Sequence, residues 1–369
     1  METCKVLTVI IPTYNMECLL DKCLSSLIVD DVYLFSKLEV LIINDGSSDG
    51  SSRIAHQYES LYTDIFRTID KENGHYGSCI NVGLSKARGK YVKILDADDS
   101  FFTQNLEEYL LLLDKNNVDL VLNKAYVYNE YGEFIRHIGI SKQLKHSSVL
   151  PFNKIVTDDI ADSIQMHNVA YKTSKIVELK YKQTEGVCYS DAEWISAPMV
   201  TVESILVFDK PLYKYLQGRG GQSSNEEMKR KQFRDVIKVT FSMIEFYSNY
   251  DGDKWHISYL KTKLMGNLSG FYLYANKIGL NFVVDFENVI KEKYPQLYKE
   301  RKTWELGYDS DCKFVCMYHE RWWYFIKKIF SIGYSKTMRQ FDEACYWGLM
   351  KPLWFVAIIN RVRNLLQIL

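Results

Sequence analysis

Ile94-Leu95-Asp96-Ala97-Asp98-Asp99 closes a largely apolar run that begins at Tyr91. Three carboxylates in four residues, directly after a strand-like stretch, put negative charge at the rim of a sheet. That placement costs stability unless a cation, or a ligand that brings one, neutralises it. Side chains two apart on an extended chain point the same way, so Asp96 and Asp98 can share one hard divalent ion. The sequence on either side decides between a metal site and a solvated turn.

Outward from this run, residues 6–11, 39–43, 65–69, 90–95 and 119–127 read as strands, and 18–27, 48–58, 78–87 and 104–116 as amphipathic helices. Alternation at this spacing means βαβ units and a mostly parallel sheet, whose ligands bind beyond the carboxyl ends of the strands. The unusual polar residues lie at those ends: Thr13-Tyr14-Asn15, Asn44-Asp45-Gly46, and the run from Asp96 to Asp99. Polar groups gathered at one edge from distant positions indicate a site. Further on come an acidic helix start, Asp191-Ala192-Glu193-Trp194, strand-like residues 205–208 and 212–216, and a glycine-rich turn, Gly218-Arg219-Gly220-Gly221. Beyond Ser224 the pattern is helical, broken by Pro295 and Pro352. The expected organisation is a catalytic α/β domain over 1–224 and a helical C-terminal region over 225–369.

Composition narrows the function classes. Lys+Arg and Asp+Glu are equal at 46 each, which argues against bulk nucleic-acid binding. An apolar fraction of 47% excludes a disordered chain. No export signal is read in residues 1–5 and no apolar run reaches membrane-spanning length, so a cytoplasmic protein with reduced thiols is expected. Cys312, Cys316 and His319 lack a fourth paired zinc ligand, and a helical face explains them better. Aromatic and basic residues mix in Arg321-Trp322-Trp323-Tyr324 and again from Leu353 to Leu369. That mixture suits peripheral contact with an anionic membrane, or packing of the helices on the rest of the chain.

In Asn44-Asp45-Gly46-Ser47-Ser48-Asp49, the serines and Asp49 suit helix capping. Asp45, at the strand end, can accept the imide N–H of a uracil ring or serve structurally. Arg219 on its glycine-rich loop suits a diphosphate clamp or a solvated surface position.

Four segments together resemble the family 2 glycosyltransferases in order and spacing: Ile10-Ile11-Pro12-Thr13-Tyr14-Asn15; Asn44-Asp45-Gly46-Ser47-Ser48-Asp49; the stretch from Asn81 to Tyr91; and Leu95-Asp96-Ala97-Asp98-Asp99. The resemblance implies a GT-A-type, Rossmann-like sheet flanked by helices. It also implies a UDP-sugar donor, a Mn²⁺ or Mg²⁺ ion, and inverting transfer of a hexosyl or N-acetylhexosaminyl group. The acceptor it implies is a glycan hydroxyl, lipid-linked, in capsule, exopolysaccharide or lipopolysaccharide synthesis at the inner face of a bacterial membrane.

By position, the resemblance puts Pro12, Thr13, Tyr14 and Glu17 around the base and Asp45 on it. His75 would lie beside the donor, Asp96 at the ribose or metal, Asp98 on the metal, and Arg219 on the diphosphate. Asp99 can equally cap the next helix. The family's acidic pair at a later helix start reads Ser190-Asp191 here, so Asp191 is the expected base and Glu193 the fallback. The chemistry agrees: a divalent ion offsets charge on a departing diphosphate, and a base must take the acceptor's proton. Two other readings stay open. A nucleotidyltransferase would carry a glycine-rich basic loop after the first strand, where this chain has Pro12-Thr13-Tyr14-Asn15. A catalytically silent nucleotide-sugar-binding module would bind without turnover.

Overall fold

The computed structural model describes residues 4–138, 148–157, 160–219, 231–278 and 281–300. Strand β1 (Leu7–Thr13) is buried along nearly its whole length, as expected of a parallel strand covered on both faces. It pairs in parallel with β2 (Leu38–Asn44) on one side and β4 (Tyr91–Ile94) on the other, and β2 pairs in parallel with β3 (Phe66–Asp70). The crossovers are α1 (Glu17–Ser25) with the short α2 (Val32–Ser36), then α3 (Ser51–Leu61), then α4 (His75–Lys86). The strand order β3-β2-β1-β4 lines up the polar strand ends found in the sequence along one edge.

Side-chain alternation sorts the strands' residues into two cores. Val9, Ile11, Val40 and Ile42 face one apolar layer, and Ile10, Leu41, Ile43 and Val92 face the other.

Beyond β4 the sheet becomes mixed. Short β5 (Ser100–Phe101) leads into α5 (Thr103–Lys115), β6 (Leu120–Tyr128) and the hairpin strand β7 (Phe134–Ile138). Then come β8 (Leu150–Pro151), α6 (Asn153–Thr157), β9 (Val169–Lys172), α7 (Thr173–Glu178), the single turn α8 (Asp191–Trp194) and β10 (Ser204–Leu216). Strand β9 inserts antiparallel between β4 and β6, and β10 runs parallel to β6. The longest ladders are parallel, so the expected architecture holds.

The two strand-like stretches at 205–208 and 212–216 form one strand rather than two. Its register with β6 slips between Phe208 and Tyr213, where Pro211 has no N–H to offer the ladder.

Two compact units divide the chain, residues 1–268 and 269–369. The first contains α9 (Phe233–Asn249) and the start of α10 (Lys254–Ile278). The Tyr259 hydroxyl donates to the Ile195 carbonyl at 2.7 Å, and the His256 ring stacks on Phe152 with centroids 3.9 Å apart. In the second unit, α11 (Asn281–Lys293) is followed by α12 (Pro295–Glu300), and Phe271 packs against Phe286 with centroids 4.2 Å apart. No helix among the described residues is long and apolar enough to cross a membrane. The aromatic and basic stretches after Arg321, and Cys312, Cys316 and His319, lie outside the described residues.

Candidate active site

Where β1 and β2 end, the two loops that follow them are laced together. Asn15 adopts φ +51°, and its backbone N–H donates to Ser47 Oγ while its Oδ1 accepts from Ser48 N at 2.8 Å. Asp49 accepts from Glu17 N and from Ser51 N, and so serves the first turns of α1 and α3 together. Glu17 Oε2 accepts from Gly50 N at 3.0 Å. Thr13 is buried, Pro12 is half-buried, and Tyr14 is exposed with its ring free for stacking.

Asp45 is buried, and its Oδ1 accepts from Lys71 Nζ at 2.5 Å and from Gly74 N at 2.9 Å. The ammonium explains how a carboxylate stays buried there. The pair also ties the Asp45 strand end to the turn that carries His75, which is exposed at φ +63°. Pro12, Thr13, Tyr14, Glu17, Asp45 and His75 thus border one region.

The acidic run is the second part. The Asp96 Oδ1 accepts from the Tyr76 hydroxyl at 3.0 Å. Burial, then the neighbouring Asp98 charge, lifts its carboxyl to about 7. Asp98 Oδ2 accepts two N–H groups of Arg219, from Nε at 2.9 Å and Nη2 at 2.8 Å. Asp99 is buried, accepting from the Tyr213 hydroxyl and from Leu216 N, each at 2.7 Å. Burial, with Asp98 and Asp96 nearby, raises it well above the carboxylate range. Asp99 therefore staples the acidic run to β10 rather than simply capping α5.

His167, from the turn Met166–Asn168 that precedes β9, joins this group. One ring nitrogen and one carboxylate oxygen each from Asp96 and Asp99 all lie within 4.8 Å of one another. Hard oxygens with an imidazole nitrogen fit a divalent cation. Burial, with Lys93 and Arg136 nearby, lowers the imidazole to about 3, so it is neutral.

Asp191 opens α8, the third part. Its side chain is exposed to solvent, and desolvation by the protein around it raises its carboxyl. Its charge acts on Asp96, Tyr76 and Tyr215, so the fold brings it to the acidic run from far along the chain. The framework behind it is dense. Asn81 exchanges two hydrogen bonds with the Gln183 backbone, and Gln183 Nε2 donates to Ser190 Oγ at 2.9 Å. Gly77 on α4 passes so close to this loop that a Cβ would sit 2.0 Å from the Thr184 carbonyl. Both oxygens of Glu193 are taken by Thr184, from its N at 2.8 Å and its Oγ1 at 2.7 Å. Of the two acids on α8, Glu193 is buried and tied to Thr184, and Asp191 is exposed.

Lys71, Tyr76, His167, Tyr213 and Tyr215 were not found in the sequence. The two β10 tyrosines carried a legible signal, since period-two spacing in Leu212-Tyr213-Lys214-Tyr215-Leu216 puts both on one face. Nothing local marks His167.

A βαβ sheet with acids at its carboxyl edge, joined by an acid that opens a later helix, has the architecture of the GT-A-type glycosyltransferases. Residues 8–172 match the family described as glycosyl transferase family 2. The chain is 28% identical to the uncharacterized glycosyltransferase YibD of Escherichia coli over 257 residues, covering 68% of this chain and 73% of that one. It is 32% identical to the glycosyltransferase GlyA of Streptococcus pneumoniae over 223 residues, 59% of this chain but only 31% of GlyA. Among solved structures, S. aureus TarS 1-349 in complex with UDP-GlcNAc superposes with a TM-score of 0.60 at 19% identity, over 86% of this chain and 92% of that one. At that identity the likeness bears on the fold.

Proposed function

We propose that this chain transfers a hexosyl or N-acetylhexosaminyl group, with inversion, from a UDP-sugar to a hydroxyl of a glycan acceptor, using Mn²⁺ or Mg²⁺. The observation that carries this reading is the acidic run at the carboxyl edge of the sheet, with Arg219 held on Asp98, in a chain whose residues 8–172 match glycosyl transferase family 2. Pro12, Thr13 and Tyr14 take the uracil face, and Asp45 and Glu17 its polar edge, with His75 beside the donor. Asp96 and Asp98 are the carboxylates assigned to the cation, and Arg219, which lies on Asp98, to the diphosphate. When bound, the cation would offset charge on the departing diphosphate. Asp191 accepts the acceptor's proton as that oxygen bonds to the anomeric carbon. In the same displacement the bond from that carbon to the phosphate oxygen breaks, and its electron pair leaves with UDP. A UDP donor is supported by the TarS complex with UDP-GlcNAc.

Residues 1–224 carry this chemistry in our reading. The aromatic and basic residues after Arg321 would bring the enzyme to a membrane that holds a lipid-linked acceptor in surface-polysaccharide synthesis.

The test is incubation with a panel of UDP-sugars and Mn²⁺. Release of UDP, slow without acceptor and fast with it, is expected. Pyrophosphate release from UTP would mark a nucleotidyltransferase instead, and binding with neither product a silent module.

A further inference from the structure

We infer that the cation site assigned above to Asp96 and Asp98 has His167 as a further protein donor, grouped with Asp96 and Asp99, and that His167 tunes the site toward Mn²⁺ over Mg²⁺. The inference rests on the metal-dependent reading above and assigns a ligand from outside the acidic run.

Three observations carry it. First, one ligand atom from each of the three residues lies within 4.8 Å of the other two, so one ion can reach all of them. Second, His167 is only 9% exposed, and its Nδ1 is buried with no hydrogen-bond partner among the described residues. A buried ring nitrogen without a partner requires an explanation, and a ligand is one.

Third, the ring is held in place. The His167 carbonyl accepts from Lys93 Nζ at 2.9 Å and from Asn123 Nδ2 at 3.1 Å. The imidazole lies against Tyr213 and Tyr215, with centroids 4.9 and 4.6 Å away. The carboxylates are oriented in the same manner, Asp96 by the Tyr76 hydroxyl and Asp99 by Tyr213 and Leu216 N. Each of those oxygens keeps a second lone pair for an ion. Fixed outer groups of this kind are what holds metal ligands in register. An imidazole among carboxylates favours Mn²⁺ over Mg²⁺, which prefers oxygen donors and retains its waters.

The experiment titrates the full-length protein with MnCl₂ and separately with MgCl₂, with and without UDP, following binding by calorimetry and by the electron paramagnetic resonance of free Mn²⁺. His167→Phe keeps the aromatic packing and removes the donor. We expect Mn²⁺ to bind on the order of tenfold or more weaker in that variant, the scale seen when a group supporting a metal is lost. Mg²⁺ should change far less, so the preference between the two ions collapses. Equal loss for both ions, or none, overturns the assignment.

If the variant fails to fold, pulsed electron paramagnetic resonance of Mn²⁺ on the wild-type protein decides. A ¹⁴N coupling of imidazole strength is expected, and its absence with Mn²⁺ bound overturns the role of His167 while leaving metal dependence intact. If no Mn²⁺ binds with or without UDP, the metal-dependent reading falls as well.

Discussion

Asp191 and Asp98 are both carboxylates, yet their surroundings separate their tasks. Asp98 accepts from the Arg219 guanidinium, whereas Asp191 is exposed to solvent and its carboxyl is raised by desolvation. Asp191→Asn should therefore spare binding of UDP and Mn²⁺ and lower kcat on the order of 10²–10⁴-fold. Calorimetry alongside a UDP-release assay separates the two effects. Asp98→Asn should instead weaken metal-dependent UDP binding, read in the same titration. Near-normal turnover in the Asp191 variant would remove it from the mechanism.

His56 illustrates a residue that acts on stability. Its ring bonds Asp70 and Glu59, and those bonds raise its pKa above 6.5. A raised histidine stabilises the fold fully below about pH 6.5 and loses that contribution as pH rises through the folded value. The melting-temperature gap between wild type and His56→Gln should be widest near pH 6 and close toward pH 9. The ring is half exposed, so the gap should correspond to under about 1 kcal/mol.

At the scale of elements, β9 does what no local pattern announced. It enters antiparallel beside β4 and delivers His167 to the acidic run, and buried Lys93 pins its start by donating to Asn123 Oδ1 and to the carbonyls of His167 and Val169. Lys93→Met keeps the length and apolar stem but takes the ammonium donor from Asn123 Oδ1 and from the two carbonyls, of which His167 O retains Asn123 Nδ2. A loss of about 1–3 kcal/mol in denaturant unfolding is expected. The parallel strands were legible because both faces of each are covered, which leaves continuous apolar runs. β9 was not: Val169-Ala170-Tyr171-Lys172 is short and flanked by polar residues, and its pairing partners lie far off in the chain. The β10 break was misread for a related reason. Asp209-Lys210-Pro211 looks like a turn, but the ladder absorbs it as an irregularity.

Across the whole molecule, the first compact unit continues to Leu268. The backbone around α8 is tied to that stretch: Asp235 accepts from Cys188 N at 3.2 Å, and Tyr259 and His256 bond the Ile195 and Val202 carbonyls. A chain ended at Ser224 should melt more than about 4 °C below the full-length protein, since each kcal/mol moves the midpoint about 2–4 °C at this size. Calorimetry of the two would check it. A chain that matched full-length stability would show these contacts to be incidental.

The amino-acid order by itself determined the βαβ framework and the edge where acids meet, because apolar periodicity and strand-end polarity are local properties. Which acid stays exposed, which is tied to arginine or threonine, and which imidazole joins them were decided only when strands β9 and β10 and the α8 turn came together. Those choices rest on burial and on partners far apart in the chain, and no single stretch of sequence contains them.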